Sequence, residues 1–347
     1  MKNSGTGRYQ QPVWGGVFVR RIAGLFILLA LIAVSPLQAE PLVIAHRGVS
    51  GYLPEHSLEG VILAHGMGVD YIEQDLFVTR DDQLVVLHDP YLEHTTDIAR
   101  RFPERVRADG HYYALDFTLD ELQSLSLTPR PHLLKRMDGN TAALAPLHAR
   151  ISSFDEQIRL IRYLNRARDM QVGLYPEIKK PALHRQQGKD ISRLFLAALE
   201  RHQLNQASAK VIVQCFDFAE VKRLRQLGLK TQLVQLIGAV EWADAESDFA
   251  YLQSKAGVAA MAQVVDGVGP WHRQLYHLDN RQPSDFAKWL KQAGLQIHPY
   301  TLNYNDTPQG MPFSVLQQLL FDIVGVDGVF TDYADRILPG PVRPDIE

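Results

Sequence analysis

Short apolar runs alternate with longer segments of helical period along this chain. The runs that read as strands are 42–46, 70–76, 173–178, 211–216, 232–237, 265–269, 296–301 and 328–332. They are rich in Val, Ile and aromatic residues, and most are apolar at successive rather than alternate positions. That is the pattern of parallel strands covered on both faces. Helical periods fall between most of them, as in 155–169, 191–201 and 218–227. Eight strands alternating with helices predict an α/β chain closed into a (β/α)8 barrel.

Two stretches break the alternation. The run 83–88 follows the second strand after only Thr79-Arg80-Asp81-Asp82. Such a link is too short for a parallel crossover and suits an antiparallel hairpin, so this run is expected to extend the second strand. Residues 90–153 then carry Pro103, Asp109-Gly110, Pro129-Arg130-Pro131 and Asp138-Gly139-Asn140. Only 118–127 is helical in pattern there, with Thr118 as N-cap and Glu121 completing a capping box. This stretch predicts a small lobe inserted after the second strand and its hairpin, lying over the barrel mouth.

The first residues belong to none of this. Lys2, Arg8, Arg20 and Arg21 form a basic leader without an acid, Ile22 to Val34 is unbroken and apolar, and Leu37-Gln38-Ala39 offers a cleavage point. That order is a secretory signal peptide over residues 1–39, too short in its apolar run to span a bilayer comfortably. Residues 40–347 are then one barrel domain in an exported, periplasmic protein without stable membrane insertion. The net charge of −3 moves to −7 once the leader's four basic residues are gone, which excludes a basic footprint for nucleic acid. Cys215 is the one cysteine, so no internal disulfide is available, and its place in VIVQCF marks it as a buried strand residue. Nothing in the pattern fixes the oligomeric state.

The polar residues of interest sit where strands end, which is where a barrel collects its functional groups. His46-Arg47 closes the first strand, Glu73 and Asp75 the second, His88 the hairpin, and Glu177 with Lys179 the third barrel strand. Glu73 and Asp75 are two apart and share a face. Taken alone, E-x-D reads as a solvated strand edge. Here the flanks Tyr71-Ile72 and Leu76-Phe77 are apolar, and buried carboxylates need partners. With Glu177 they make three hard oxygen donors and no thiolate, which points to Ca²⁺ or Mg²⁺. His46 and His88 read as an acid–base pair. Arg47 and Lys179 are suited to a phosphate, although Lys179 also reads as a plain ion pair with Glu177. His65, His94, His111, His148, His184 and His202 are placed on the surface, and His298 is a candidate pocket residue without a role.

At these residues the chain resembles a known family. The segments VIAHRGVSGYLPEHS, DYIEQDLFVTRDDQLVVLHDPYLEHTTD, RFPERVRADGHYYALDFTLDEL, YPEIK, QCFD, LVQLI, DGVGP, HPYT and GVFTDY are similar to those of the glycerophosphodiester phosphodiesterases, in particular their periplasmic branch. The resemblance implies a TIM barrel with an inserted lobe and hydrolysis of glycerophosphodiesters to an alcohol and sn-glycerol 3-phosphate. It implies catalytic roles for His46 and His88, and metal ligation, usually of Ca²⁺, by Glu73, Asp75 and Glu177. It also implies phosphate contact by Arg47 and Lys179, and places Glu55 as an acid near the metal, either on it or behind its ligands. His56-Ser57 stands where the family more often has Asn-Thr, and Ala334 where it often has Pro. A secreted binding protein without catalysis and a lysophospholipid head-group lyase are the competing readings. The presence of both histidines beside the carboxylates favours the hydrolase.

Overall fold

The computed structural model describes residues 40–130, 147–242 and 247–338, together with Gln10. The leader expected over 1–39 therefore lies outside the described residues apart from Gln10, as do residues 131–146 of the 90–153 stretch.

Ten strands make one sheet among the described residues. They are β1 (Leu42–Ala45), β2 (Tyr71–Val78), β3 (Leu84–Val86), β4 (Ser152–Ser153), β5 (Gly173–Ile178), β6 (Ile212–Cys215), β7 (Gln232–Ile237), β8 (Gly267–Pro270), β9 (Gln296–Ile297) and β10 (Gly328–Thr331). The order β10-β1-β2-β5-β6-β7-β8-β9 is parallel throughout. Phe330 N donates to Pro299 O at 3.0 Å and Leu302 N to Phe330 O at 2.8 Å, joining the last strands. The eight-stranded α/β barrel read from the apolar runs is the observed fold. The run 296–301 is paired as a strand only at Gln296–Ile297, because Pro299 has no N–H to give to a ladder.

The hairpin is present as expected: Leu76, Phe77 and Val78 face Val86, Val85 and Leu84 in antiparallel register. Thr79 tightens the turn, donating from Oγ1 to Asp81 Oδ1 and accepting from Gln83 N. β4 adds to β3. Between them a lobe forms on its own small core of Phe77, Val85, Leu92, Ile98, Phe117 and Leu122. The helix expected there, Leu119–Gln123, is shorter than the sequence pattern but carries the expected Thr118–Glu121 capping box, and a further short helix, Ile98–Arg101, forms that the pattern did not show.

Period-2 geometry sorts the barrel residues into an inside and an outside. Ile44, Tyr71, Tyr175, Ile212, Val234 and Phe330 fill the barrel interior. Their neighbours, such as Val43, Ile72, Leu174, Val213 and Cys215, pack outward among the residues of the surrounding helices. Gly173 belongs to this arrangement, since a Cβ there would lie 2.4 Å from the Tyr71 ring. Cys215 is buried, as its apolar run implied. Three histidines differ from the sequence reading. His65 and His184 are buried rather than on the surface. His65 Nε2 meets Asn165 Oδ1 at 2.9 Å, and His184 Nε2 accepts from Val78 N at 3.1 Å. Each sits on a helix, 58–67 or 181–186, and turns inward to a buried polar partner from another segment. His298 is buried against Tyr175, its Nδ1 at 2.9 Å from the phenol oxygen, and does not line the cavity described below. No helix of the described residues is long and apolar enough to cross a membrane.

Candidate active site

Moving two residues up each inward-facing row changes apolar filling into chemistry. Above Ile44 comes His46, above Tyr71 come Glu73 and Asp75, above Tyr175 comes Glu177, and above Ile212 come Gln214 and Phe216. These residues, with Arg47, His88 and Lys179, line a cavity of about 970 Å³ at the C-terminal ends of the strands. The lobe contributes Pro90, Tyr91, His94 and Arg130 to its wall. His94, read from sequence as a plain surface residue, is exposed but borders this cavity.

The β2–β5 register sets Asp75 directly beside Glu177, with Glu73 beside Tyr175. Lys179 Nζ lies 2.9 Å from Glu177 Oε1 and 3.5 Å from Asp75 Oδ1. The backbone turns sharply after β1: Arg47 holds φ 54° and Gly48 φ 81°. A non-glycine residue in that region is strained and is held there by its surroundings. The turn aims Arg47 N at Glu73 Oε2, 2.7 Å away, and Arg47 Nη1 at Glu55 Oε2, 3.0 Å away. Glu55 is the hinge of a larger network. It also receives Arg130 of the lobe, which reaches on to Asp89 Oδ2 at 2.8 Å. Glu55 thus acts through Arg47 and does not itself line the cavity.

Burial outweighs pairing at two of the three carboxyls. Burial first, and then the charge of Asp75, push Glu73 well above the usual range against the pull of Arg47. Burial likewise raises Glu177 to about 8, although Lys179 opposes it. Asp75 goes the other way: burial is outweighed by Lys179, His88 and His56. Asp75 Oδ1 has no hydrogen-bond partner among the described residues. Burial that disfavours the charges of Glu73 and Glu177, beside an Asp75 oxygen without a hydrogen bond, is a setting that a divalent cation would stabilise. Donor atoms of His56, Glu73 and Asp75 all lie within 4.8 Å of one another, and these residues fit such a cation. The sequence reading missed His56, whose Nε2 sits 2.8 Å from Asp75 Oδ2. The signal was its place next to Glu55, where the family pattern more often has Asn.

Each candidate catalytic histidine is held by a carboxylate. His46 Nδ1 and Asp332 Oδ1 are 2.6 Å apart, as are His88 Nδ1 and Asp89 Oδ1. This leaves Nε2 of each ring for the cavity. Asp332 also accepts from Ser50 Oγ at 2.7 Å and Asn303 Nδ2 at 2.6 Å. Burial pushes its carboxyl up, but His46, Ser50 and Arg47 prevail and bring it to about 2. His88 is pushed down to about 3, by burial first and then by Arg47 and Lys179. Neither Asp332 nor Asp89 was singled out from sequence. Asp89 stood next to His88, whereas Asp332 lies 286 positions from His46 and only barrel closure joins them.

Residues 46–336 match the family model described as the Glycerophosphoryl diester phosphodiesterase family. A glycerophosphodiester phosphodiesterase of Haemophilus influenzae is 36% identical over 87% of this chain and 90% of its own length. One from Treponema pallidum is 32% identical over 97% of this chain and 99% of its own. Among solved structures, an Oleispira antarctica phosphodiesterase in complex with the product sn-glycerol-3-phosphate has a similar fold, with a TM-score of 0.57. It is 20% identical, over 86% of this chain and 95% of that one.

Proposed function

The chain belongs to the glycerophosphoryl diester phosphodiesterase family, and from that premise we propose that it hydrolyses glycerophosphodiesters to an alcohol and sn-glycerol 3-phosphate. Glycerophosphocholine and glycerophosphoethanolamine are representative substrates. The observation that carries this reading is the pair His46 and His88, each fixed at Nδ1 by its own carboxylate and lining one cavity with Arg47, Lys179 and the carboxylate cluster.

The diester is a monoanion with a poor alkoxide leaving group. Arg47 and Lys179 neutralise its non-bridging oxygens. The attacking oxygen, of water or of the neighbouring glycerol hydroxyl, gives its proton to one histidine. The other histidine gives a proton to the departing oxygen as the P–O bond breaks. Each ring is held at Nδ1 by its own carboxylate, so the two histidines are equivalent in geometry for the roles of base and acid. Attack by the glycerol hydroxyl would give a cyclic phosphate that a second proton relay, with water as nucleophile, opens. Glu73, Asp75 and Glu177, with His56 alongside, hold a divalent cation, Ca²⁺ foremost and Mg²⁺ next. When bound, it supplies Lewis-acid polarisation of a phosphoryl oxygen. We place the protein in the periplasm, on the strength of its leader sequence.

The direct test incubates the purified protein with glycerophosphocholine, with and without Ca²⁺, and measures sn-glycerol 3-phosphate. Metal-dependent release of that product supports the reading. No release from any glycerophosphodiester, with either metal, overturns it.

A further inference from the structure

The cavity has two unlike walls. On the lobe side stand Arg130, Asp89 and His94, which offer polar partners and a guanidinium. On the side of β6 and β7 stand Phe216, Leu236, Trp242, Phe249 and Tyr300, and Glu241, the chain neighbour of Trp242, lines the same cavity. The aromatic rings form a continuous set. Phe216 is 5.6 Å from Trp242, 6.1 Å from Phe249 and 5.9 Å from Tyr300, centroid to centroid, and Trp242 is 6.2 Å from Phe249.

This wall is built for its rings. Gly238 leaves them room, since a Cβ there would come within 2.5 Å of the Trp242 ring and 2.6 Å of Phe249. Tyr300 is tied down by its hydroxyl, which donates to Ile237 O at 2.8 Å. Yet Trp242 remains 45% exposed, so the indole is not spent on the core. Exposed aromatic faces beside a carboxylate are the chemistry that recognises an alkylammonium. The spacing agrees. Lys179 Nζ, on the phosphate side, lies 5.9 Å from the Phe216 centroid, and Trp242 is the next ring out. A two-carbon spacer between phosphate and nitrogen would bring the cation to the Phe216 end of this wall.

We propose that Phe216, Trp242 and Glu241 form a subsite for a cationic alcohol group such as choline, leaving the lobe side to the glycerol hydroxyls. This rests on the hydrolase reading above and sets its substrate preference. It places head-group selection at the β6–β7 rim.

The test compares kcat/KM for glycerophosphocholine and for glycerophosphoglycerol, whose alcohol is neutral. The comparison is made in the wild-type protein, Trp242→Leu and Glu241→Gln. A second readout measures inhibition of glycerophosphoglycerol turnover by choline and by its neutral carbon isostere, 3,3-dimethyl-1-butanol. The wild type is expected to favour glycerophosphocholine and to be inhibited by choline more than by the isostere. Trp242→Leu should reduce the preference about threefold to thirtyfold, and Glu241→Gln should reduce it in the same direction. Turnover of glycerophosphoglycerol should stay within about threefold of wild type, which also shows that the variants fold. Equal inhibition by choline and the isostere, or a preference unchanged in both variants, overturns the subsite while leaving the hydrolase reading intact. Failure to turn over either diester overturns both.

Discussion

Replacing Asp332 by Asn keeps the shape of the side chain and removes its charge, and the hydrogen-bond network decides where the new amide points. Asn303 Oδ1 already accepts from Asp332 N at 2.9 Å, so Asn303 Nδ2 stays a donor towards the position of Oδ2. The carbonyl of the new amide is therefore retained by Asn303, and its NH₂ turns to His46 Nδ1. The imidazole must then accept at Nδ1 and carry its proton on Nε2, and the doubly protonated ring has no place. We expect kcat for glycerophosphocholine to fall on the order of 10²- to 10⁴-fold with KM little changed. Stability is affected separately. The carboxyl sits at about 2 against an ordinary 3.8, which at about 1.4 kcal/mol per pH unit is roughly 2 kcal/mol. Because the folded value is the lower one, that contribution is complete above about pH 5. It falls to roughly half near pH 3 and is lost as pH drops through 2. Initial rates and urea midpoints of both proteins at pH 7 and pH 3 check each part. A kcat within threefold of wild type would refute the orienting role, and a stability difference independent of pH would refute the ionised pair.

His46→Ala and His88→Ala are each expected to lose about 10²- to 10⁴-fold in kcat while still binding metal. The double variant should fall short of the product of the two losses, because the residues serve one reaction. Near-normal kcat in either single variant removes that histidine from the mechanism. Exhaustive chelation should abolish turnover and Ca²⁺ or Mg²⁺ restore it, while Asp75→Asn weakens calorimetric metal binding; full activity in excess chelator would sink the cation. Arg130→Ala strips Glu55 and Asp89 of hydrogen bonds and should lower stability by about 1–3 kcal/mol. A urea midpoint equal to wild type would show that the lobe does not depend on this contact.

Patterning alone determined the architecture of this protein. The interior of a parallel barrel is dry on both faces, so its strands announce themselves as unbroken apolar runs, and the short link 79–82 allowed only a hairpin. His46 and His88 were legible as polar residues just past such runs, and Glu73, Asp75 and Glu177 as carboxylates that the structure sets inside them rather than at their ends. Local spacing on one strand also fixed which of them share a face. Strand bounds were less legible at 296–301, where Pro299 removes a ladder bond that hydropathy does not register. Tertiary structure decided the rest, because those contacts link residues with no sequence relation. Asp332 reaches His46 only when the last strand closes on the first. Arg130 reaches Glu55 only once the lobe folds back over the mouth. His65 and His184 turn inward because partners from other segments satisfy them. The rings of Phe216, Trp242, Phe249 and Tyr300 become one wall only because the segments after β6, β7 and β9 meet at the barrel mouth. A hydrophobic period is written in adjacent residues and can be read from them, whereas a polar partnership across the barrel depends on closure, which brings distant strand ends within hydrogen-bond reach.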